Sequence, residues 1–269
     1  MRLYNSPFTD SIPSPMQPLS FDISGRVALL TGAGRGIGLA IAQALAGAGA
    51  AVAIQDVDLA IAEAEAEKIN QAGRRAIALG GDVADLSLPA RLVHDVVTQL
   101  GGLHILINNA SIQKPQPWLT LEPPQIEREL RADLITPLLL CQRAAPIFQR
   151  QRWGRIINIG SIQQRGGNPN MLPYSLSKLA LDGLTKALAR DLAKDNITVN
   201  LLAPGWFNTY RNRGDFESEQ DLIDKGKHVP LGRIGDPADC AGAALLLCSE
   251  AGSYITGQSI FIDGGMSAR

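Results

Sequence analysis

The sequence predicts an α/β fold, a single doubly wound and mostly parallel sheet of about seven strands with helices on both faces. Short β-rich runs alternate with helical stretches from residue 21 onward, an order typical of parallel strands joined by right-handed crossovers. The chain has 27 glycines but only 5% aromatic residues, which indicates many tight turns and close backbone contacts. With 269 residues, 45% of them hydrophobic, residues 21–269 are predicted to form one domain.

The first predicted strand, residues 26–31, runs into a glycine-rich turn that opens a helix over residues 36–48. The second strand, residues 51–55, leads into an amphipathic helix over residues 59–72. Short apolar, β-branched runs predict the remaining strands, with helices between them, at residues 75–79, 104–108, 155–159, 198–203 and 259–262.

Two segments interrupt the alternation of strands and helices. Residues 1–20 contain four prolines and no apolar period, so we expect a mobile or docked N-terminal arm. Residues 206–235 are polar, charged and long for a connection in a compact domain. We interpret them as a loop that orders over bound substrate, with Gly214 and Gly226 as hinges.

Composition argues against several classes of function. The 25 Lys and Arg residues nearly balance the 26 Asp and Glu residues, so no bulk charge attracts nucleic acid or an anionic membrane. The apolar stretch at residues 36–54 is rich in Ala and Gly and reads as a helix followed by a strand rather than a membrane span. Three cysteines without paired spacing favour a reducing, cytoplasmic location, and no metal site is predicted. A small-molecule function is favoured.

The glycine turn at Thr31 to Gly38 lies between a predicted strand and a predicted helix. Glycines there let the backbone approach a diphosphate, whose charge is stabilised by the free N–H groups of the helix N-terminus. Asp56 follows the second strand, where a carboxylate can accept hydrogen bonds from ribose hydroxyls. A tight connection and a capping aspartate are the alternatives for these two features.

A second group of residues suggests acid–base chemistry. Tyr174 and Lys178 are four residues apart on a predicted helix, so they share a face and the ammonium can favour the phenolate. Ser161 lies just beyond the predicted strand at residues 155–159. A tyrosine favoured in this way is a proton acceptor.

In this order, the motifs resemble the classical short-chain dehydrogenases/reductases, a family with a Rossmann-like fold. The resemblance extends from residue 21 to residue 265 and includes Asp82-Val83, Asn108-Asn109-Ala110, Pro204-Gly205 and the run from Ile255 to Gly265. It implies a nicotinamide dinucleotide cofactor and the assembly of a homo-oligomer, either a dimer or a tetramer.

The resemblance also implies the roles of the site residues. Tyr174 would be the acid/base, Ser161 would hold the substrate oxygen, and Lys178 would lower the tyrosine pKa and bind the nicotinamide ribose. The expected cofactor contacts, besides Tyr174 and Lys178, are Gly32, Arg35, Gly36, Ile37, Gly38, Asp56, Asp82, Val83, Asn108, Ala110, Pro204, Gly205 and Thr209.

NAD is expected to be preferred over NADP. The Asp56 carboxylate favours a free ribose 2′-hydroxyl and repels a 2′-phosphate. Arg35, inside the glycine turn, is the opposing signal, because a basic side chain there can sit near a 2′-phosphate.

The expected reaction is hydride transfer between a secondary alcohol and a ketone. The segment after Ser161 is rich in amide and basic side chains, including Gln163, which suits a sugar, a polyol or a sugar acid. Arg211 and Arg213 would favour an anionic substrate. A 3-oxoacyl-thioester reductase is the alternative substrate class, and a non-catalytic dinucleotide-binding regulator is the alternative of another kind.

The chain departs from the family at Asp133, where the family has a catalytic Asn on the long central helix. Pro137, four residues later, cannot donate to the Asp133 carbonyl. In the family the equivalent residue helps hold a water that links the lysine to bulk solvent. We expect the freed Asp133 carbonyl to hold that water, which would make Asp and Asn interchangeable there. The alternative is that an ionised Asp133 holds the proton of Lys178 and impairs the tuning of Tyr174. His104, where the family tends to have Asp, is interpreted as a surface substitution.

Overall fold

The computed structural model describes residues 20–215 and 218–268. The predicted N-terminal arm therefore lies almost entirely outside the described residues. Seven parallel strands form one sheet in the order β3-β2-β1-β4-β5-β6-β7. They are β1 Val27–Thr31, β2 Ala51–Asp56, β3 Ala76–Gly80, β4 Ile105–Asn108, β5 Gly154–Ile159, β6 Ile197–Pro204 and β7 Ser259–Ile262.

Helices cover both faces of the sheet. They are α1 Gly36–Gly47, α2 Leu59–Gln71, α3 Leu88–Leu100, α4 Pro123–Leu130, α5 Thr136–Gln151, α6 Gln163–Gly166, α7 Leu172–Leu192, α8 Glu219–Gly226 and α9 Ala238–Cys248. Buried side chains of α1, α2 and α9 form the core on one face. Those of α3, α5 and α7 form the core on the other. The predicted doubly wound fold is thus confirmed, with each predicted strand end within one residue of the observed one.

The strand order determines where a ligand site is expected in this fold. The chain leaves β1 toward β2 on one side and returns to β4 on the other, which makes the carboxyl ends of β1 and β4 the topological switch point of the sheet. Ligands of open α/β sheets bind at this point. The glycine turn, the Asn108-Asn109 motif and Ser161 all follow strands at this edge.

The structure corrects two of the sequence-based predictions, those for residues 206–235 and for His104, and it agrees with a third, that for residues 36–54. Residues 206–235 are not a plain loop, because the segment contains a 3-10 turn at Tyr210–Asp215 and α8, whose N-terminus is capped by Ser218. His104 is not a surface substitution; it is partly buried against the edge of the Trp153 ring, and its Nδ1 accepts a hydrogen bond of 3.1 Å from the Val27 N–H. The apolar stretch at residues 36–54 divides into α1 and β2, and no helix in the described ranges could cross a bilayer.

Candidate active site

A cavity of about 810 Å³ opens at the carboxyl edge of the sheet. Most of the residues that the sequence predicts for the site line it: Gly32, Arg35, Gly36, Ile37, Gly38, Asp56, Asp82, Val83, Ala110, Ser161, Gln163, Tyr174, Lys178, Pro204, Gly205, Thr209 and Arg211. Asn108 and Asp133 lie behind its wall. The side chain of Arg213 is outside the described residues.

The glycine turn packs too tightly for side chains. Gly32 has a φ of +59°, and a Cβ there would lie 2.7 Å from the Cα of Ala110. Asn109 holds the turn, because its Nδ2 donates to the carbonyls of Thr31 (2.9 Å) and Gly32 (2.8 Å). The result is a narrow backbone cradle at the start of α1, which suits a diphosphate. Sequence reasoning included Asn109 only as part of a motif and missed this bracing role.

The end of β2 carries the expected acidic group. Asp56 lies against the turn, and its carboxylate accepts the N–H groups of Gly34 (3.1 Å) and Asp58 (3.1 Å). Arg35 is engaged elsewhere: its guanidinium stacks on the Tyr210 ring at 4.6 Å and lies 3.9 Å from the Asp58 carboxylate.

Asp82 lines the next part of the cavity and forms an ion pair of 2.7 Å with Arg128. Burial by itself would raise the pKa of Asp82, but hydrogen bonds from the Ala84 N–H and from Arg128 outweigh it and lower the pKa. Arg128 also lines the cavity. The sequence contained no signal for it, because α4 brings it to Asp82 from 46 residues away.

Asn108 does not contact the cavity. Its side chain is 3% exposed and points into the sheet core, where Nδ2 donates to the Asn158 Oδ1 at 2.8 Å. Asn158 in turn donates to the Thr185 hydroxyl at 2.9 Å. These bonds connect β4, β5 and α7 beneath the site. The Asn108 side chain therefore stabilises the packing of β4, β5 and α7 beneath the site, instead of lining the cavity as expected for a cofactor contact.

Tyr174, Ser161 and Lys178 meet at the floor of the cavity. The Tyr174 hydroxyl is hydrogen-bonded to the Ser161 side chain. The Ser161 Oγ also accepts the Gln163 N–H at 3.2 Å. Lys178 Nζ donates to the Ile159 carbonyl at 2.9 Å and lies 5.3 Å from the centre of the Tyr174 ring. Strand β5 and helix α7 together position all three side chains.

Burial dominates the electrostatics of this group. It raises the pKa of Tyr174, whereas Arg211 and the hydrogen bond from Ser161 lower it. Burial also lowers the pKa of Lys178 to about 8, against the opposing effect of Asp133. Arg211 is therefore a cation that lowers the pKa of Tyr174, and the predicted effect of Lys178 on the same pKa stays a prediction.

Arg211 reaches the site from the segment after β6. Its guanidinium donates to the Ser111 hydroxyl (2.9 Å) and to the Ser111 carbonyl (2.8 Å), which fixes the segment to the loop after β4. The side chain remains exposed and lines the cavity. It is therefore an exposed positive group on the wall of the cavity.

Asp133 lies in a π turn, Arg131–Ile135, between α4 and α5. The Thr136 N–H bonds to the Arg131 carbonyl, five residues back, and Pro137 follows in the first turn of α5. Pro137 is expected to interrupt the long central helix, and the interruption is this π turn between α4 and α5. The Asp133 side chain is fully buried, and its Oδ1 accepts the Ile112 N–H at 2.7 Å.

Known proteins resemble this chain in sequence and in fold. A family model described as Enoyl-(Acyl carrier protein) reductase matches residues 32–267. The chain is 35% identical over 207 residues to 2-dehydro-3-deoxy-D-gluconate 5-dehydrogenase of Dickeya dadantii, covering 76% of this chain and 81% of that protein. It is 36% identical over 249 residues to 3-oxoacyl-[acyl-carrier-protein] reductase of Aquifex aeolicus, covering 92% and 100%. The crystal structure of a gluconate 5-dehydrogenase from Burkholderia cenocepacia with NADP and tartrate has a TM-score of 0.86 and 35% identity, covering 93% and 98%.

Proposed function

The chain belongs to the classical short-chain dehydrogenase/reductase family, and on that premise we propose that it interconverts a secondary alcohol and a ketone of a sugar acid, with NAD as the preferred coenzyme. The reaction class is that of the family: the protein is an oxidoreductase acting on alcohol and ketone groups. The sugar-acid substrate and the choice of NAD are the specific parts of the proposal.

The observation that carries the substrate proposal is the position of Arg211. Its charge acts on Tyr174, Lys178 and Asp133 alike, so the guanidinium lies close to the reacting centre. A guanidinium has five N–H donors, and Ser111 receives bonds from two of its nitrogens. The remaining donors can hold a carboxylate in a charge-assisted bond. The names of two relatives that act on gluconate derivatives support the same substrate class.

Each side chain on the cavity floor has a separate role in the proposed reaction. Ser161 holds the substrate oxygen by a hydrogen bond, and Tyr174 takes the hydroxyl proton during oxidation or returns it during reduction. The glycine turn would hold the diphosphate, Asp56 the adenosine ribose and Lys178 the nicotinamide ribose. A nicotinamide dinucleotide supplies the hydride acceptor or donor when it is bound. The protein contributes position and a tuned proton acceptor.

The preference for NAD is supported by the contacts of Asp56 and Arg35. Asp56 is held rigidly by two backbone N–H groups, and Asp58 lies beside it on the cavity wall. Two carboxylates there oppose the charge of a 2′-phosphate. Arg35, the group that could bind such a phosphate, is engaged with Tyr210 and Asp58. The related gluconate 5-dehydrogenase structure contains NADP, and a comparison of kcat/KM with NAD and with NADP tests the choice for this chain.

Two alternatives remain. The similarity to a 3-oxoacyl-[acyl-carrier-protein] reductase over its full length supports an acyl-thioester substrate, which would not require the Arg211 cation. A non-catalytic dinucleotide-binding protein would need no acid/base at position 174. Turnover lost in Tyr174→Phe, with coenzyme binding retained in a fluorescence titration, supports an enzyme. Unchanged turnover contradicts the assigned role of Tyr174.

We also propose a homo-oligomer, either a dimer or a tetramer. Leu176 and Leu179 are 53% and 54% exposed on one face of α7, and apolar groups at this spacing form a helix-packing stripe. Replacing both with Glu is expected to lower the mass measured by light scattering. An unchanged mass would contradict the use of this face.

The test of the substrate proposal compares Arg211→Ala with wild type on a sugar acid and on a neutral polyol of the same length. A charge-assisted hydrogen bond contributes roughly 1.5–3 kcal/mol, so KM for the sugar acid should rise roughly 10- to 100-fold. KM for the polyol should change little. Arg150→Ala, which removes an exposed arginine at the end of α5, is the control. An equal rise in KM for both substrates would overturn the carboxylate assignment.

A further inference from the structure

Two buried carboxyl groups lie four residues apart behind the catalytic lysine. Glu129, in the last turn of α4, is 1% exposed, and Asp133, in the π turn, is 0% exposed. Both carboxyl groups face the loop after β4: the Asp133 Oδ1 accepts the Ile112 N–H at 2.7 Å, and the Lys114 backbone acts to lower the pKa of Glu129, whose Oε1 also accepts the Gln125 Nε2 at 3.3 Å. The spacing brings both groups to one side of the helix, toward that loop.

Each carboxyl group also has an oxygen without a partner. Asp133 Oδ2 and Glu129 Oε2 are buried and form no hydrogen bond within the described residues. Neither side chain takes part in an ion pair among those residues. A buried carboxylate with a free oxygen and no paired cation is costly, and such groups take up protons instead.

A purely structural role does not require carboxyl groups here. An amide oxygen at position 133 would accept the Ile112 N–H equally well, and the family's usual Asn would therefore hold the loop. What an amide lacks is the capacity to bind and release a proton. The unpartnered Oδ2, on a side chain whose charge acts on Lys178, is the feature that the structural explanation leaves unused.

The charges around the pair come from several elements. Lys178 on α7 and Arg211 after β6 favour the ionised form of Asp133, while Glu129 on α4 opposes it. Lys114, in the loop after β4, favours the ionised form of Glu129. Burial outweighs these cations, so it raises the pKa of Asp133 to about 6 and raises the pKa of Glu129 as well.

We propose that Asp133 exchanges a proton with Lys178 during turnover and that Glu129 tunes this exchange by its charge. The proposal rests on the hydride-transfer function given above and adds two chain-specific residues to it. It also reverses the expectation that Asn and Asp are interchangeable at position 133. Glu129 is a positioning residue, because it acts through Asp133.

The proton balance of the oxidation follows from these positions. The substrate O–H bond breaks and its proton goes to the Tyr174 phenolate, while the hydride would leave the carbon with its electron pair for the oxidised nicotinamide that the coenzyme supplies when bound. Lys178 gives one ammonium proton to the Asp133 carboxylate, and the Tyr174 hydroxyl then reprotonates the lysine amine. The net change is from phenolate and carboxylate to phenolate and carboxylic acid, with one proton gained from the substrate. Reduction reverses each transfer.

The first test is the pH dependence of oxidation by wild type, Asp133→Asn and Glu129→Gln. A protonated Asp133 cannot accept a proton, so the wild-type rate should fall as the pH drops through about 6. Asp133→Asn should lose this acidic limb. Glu129→Gln should move it to lower pH, because Glu129 raises the pKa of Asp133. Glu127→Gln, an exposed neighbour paired with Arg131 at 3.4 Å, should leave the limb in place.

The second test needs no substrate. Difference infrared spectroscopy on the apoprotein should show a carbonyl band of a protonated carboxyl that titrates near pH 6, is absent in Asp133→Asn and titrates at lower pH in Glu129→Gln. If Asp133→Asn does not fold, wild type and Glu129→Gln suffice. Superimposed pH profiles for wild type and Asp133→Asn, or an acidic limb and band unmoved in Glu129→Gln, overturn the proposal. If the protein does not oxidise sugar acids but does oxidise another secondary alcohol, only the substrate assignment is overturned. The acidic limb of the pH profile can be measured with any secondary alcohol that the protein oxidises.

Discussion

Replacing Asp133 with Asn should change how the stability of the protein depends on pH. Burial raises the pKa of Asp133 from 3.8 to about 6, so between these values the folded protein binds more protons than the unfolded chain. Stability therefore falls as the pH rises through this interval. The ionised group is the form that the fold disfavours.

The magnitude follows from the displacement of the pKa. A change from 3.8 to about 6 corresponds to about 3 kcal/mol at about 1.4 kcal/mol per pKa unit. The wild type should lose this contribution between about pH 4 and pH 6, while Asp133→Asn should not. Lys178, whose pKa is lowered to about 8, titrates above this interval and does not mask the difference.

The assay is urea denaturation at several pH values from 4 to 7.5, at one fixed protein concentration because oligomers make apparent stability concentration-dependent. The free energy of unfolding of Asp133→Asn minus that of wild type should increase by about 3 kcal/mol across the range. Glu127→Gln should give a flat difference. A flat difference for Asp133→Asn would refute the reasoning, because it would mean that the carboxyl has the same pKa in the folded and unfolded chains.

Three further predictions concern the coenzyme site and the segment above it. Asp56→Ala should raise the ratio of kcat/KM with NADP to that with NAD, since a carboxylate opposed to the 2′-phosphate is removed; a ratio that falls would contradict the assignment. Asn109→Ala should weaken coenzyme binding measured by calorimetry, because it removes the two bonds that hold the Thr31 and Gly32 carbonyls, while Gln149→Ala, far from the cavity, should not. Residues 206–235 should be cleaved more slowly by trypsin with coenzyme and sugar acid bound, because the segment lines the cavity; equal rates with and without ligands would argue against closure.

The strands and the grouping of Ser161, Tyr174 and Lys178 could be predicted because their signals are local. Each strand is a continuous apolar run between turn residues, and a parallel sheet buried on both faces needs such runs. Tyr174 and Lys178 share one helix, and Ser161 lies just beyond the end of β5, so the topology brings them together. The glycine turn is likewise contiguous, and its positive φ at Gly32 is a property that glycine supplies without strain.

Contacts between distant segments were harder to predict. Asn108 and Asn109 are adjacent and equally polar, and only the alternation of a strand decides that the first points into the core and the second toward the glycine turn. Arg128 pairs with Asp82 across 46 residues, and His104 binds the backbone of Val27 across 77. Glu129 looks like a surface residue in sequence, because the helix that carries it is short and polar. Its burial depends on the loop after β4, which no periodic pattern marks.

Arg211 connects these long-range contacts with specificity. It fixes residues 206–235 to Ser111, lowers the pKa of Tyr174 and favours the ionised form of Asp133. A substrate carboxylate bound by the same guanidinium would partly neutralise it, and both influences would weaken. The pKa of Tyr174 should then rise when a sugar acid binds but not when a neutral polyol binds. In the proposed function, one side chain in residues 206–235 would therefore both bind the substrate and adjust the pKa of Tyr174, although this part of the chain has the least regular sequence pattern.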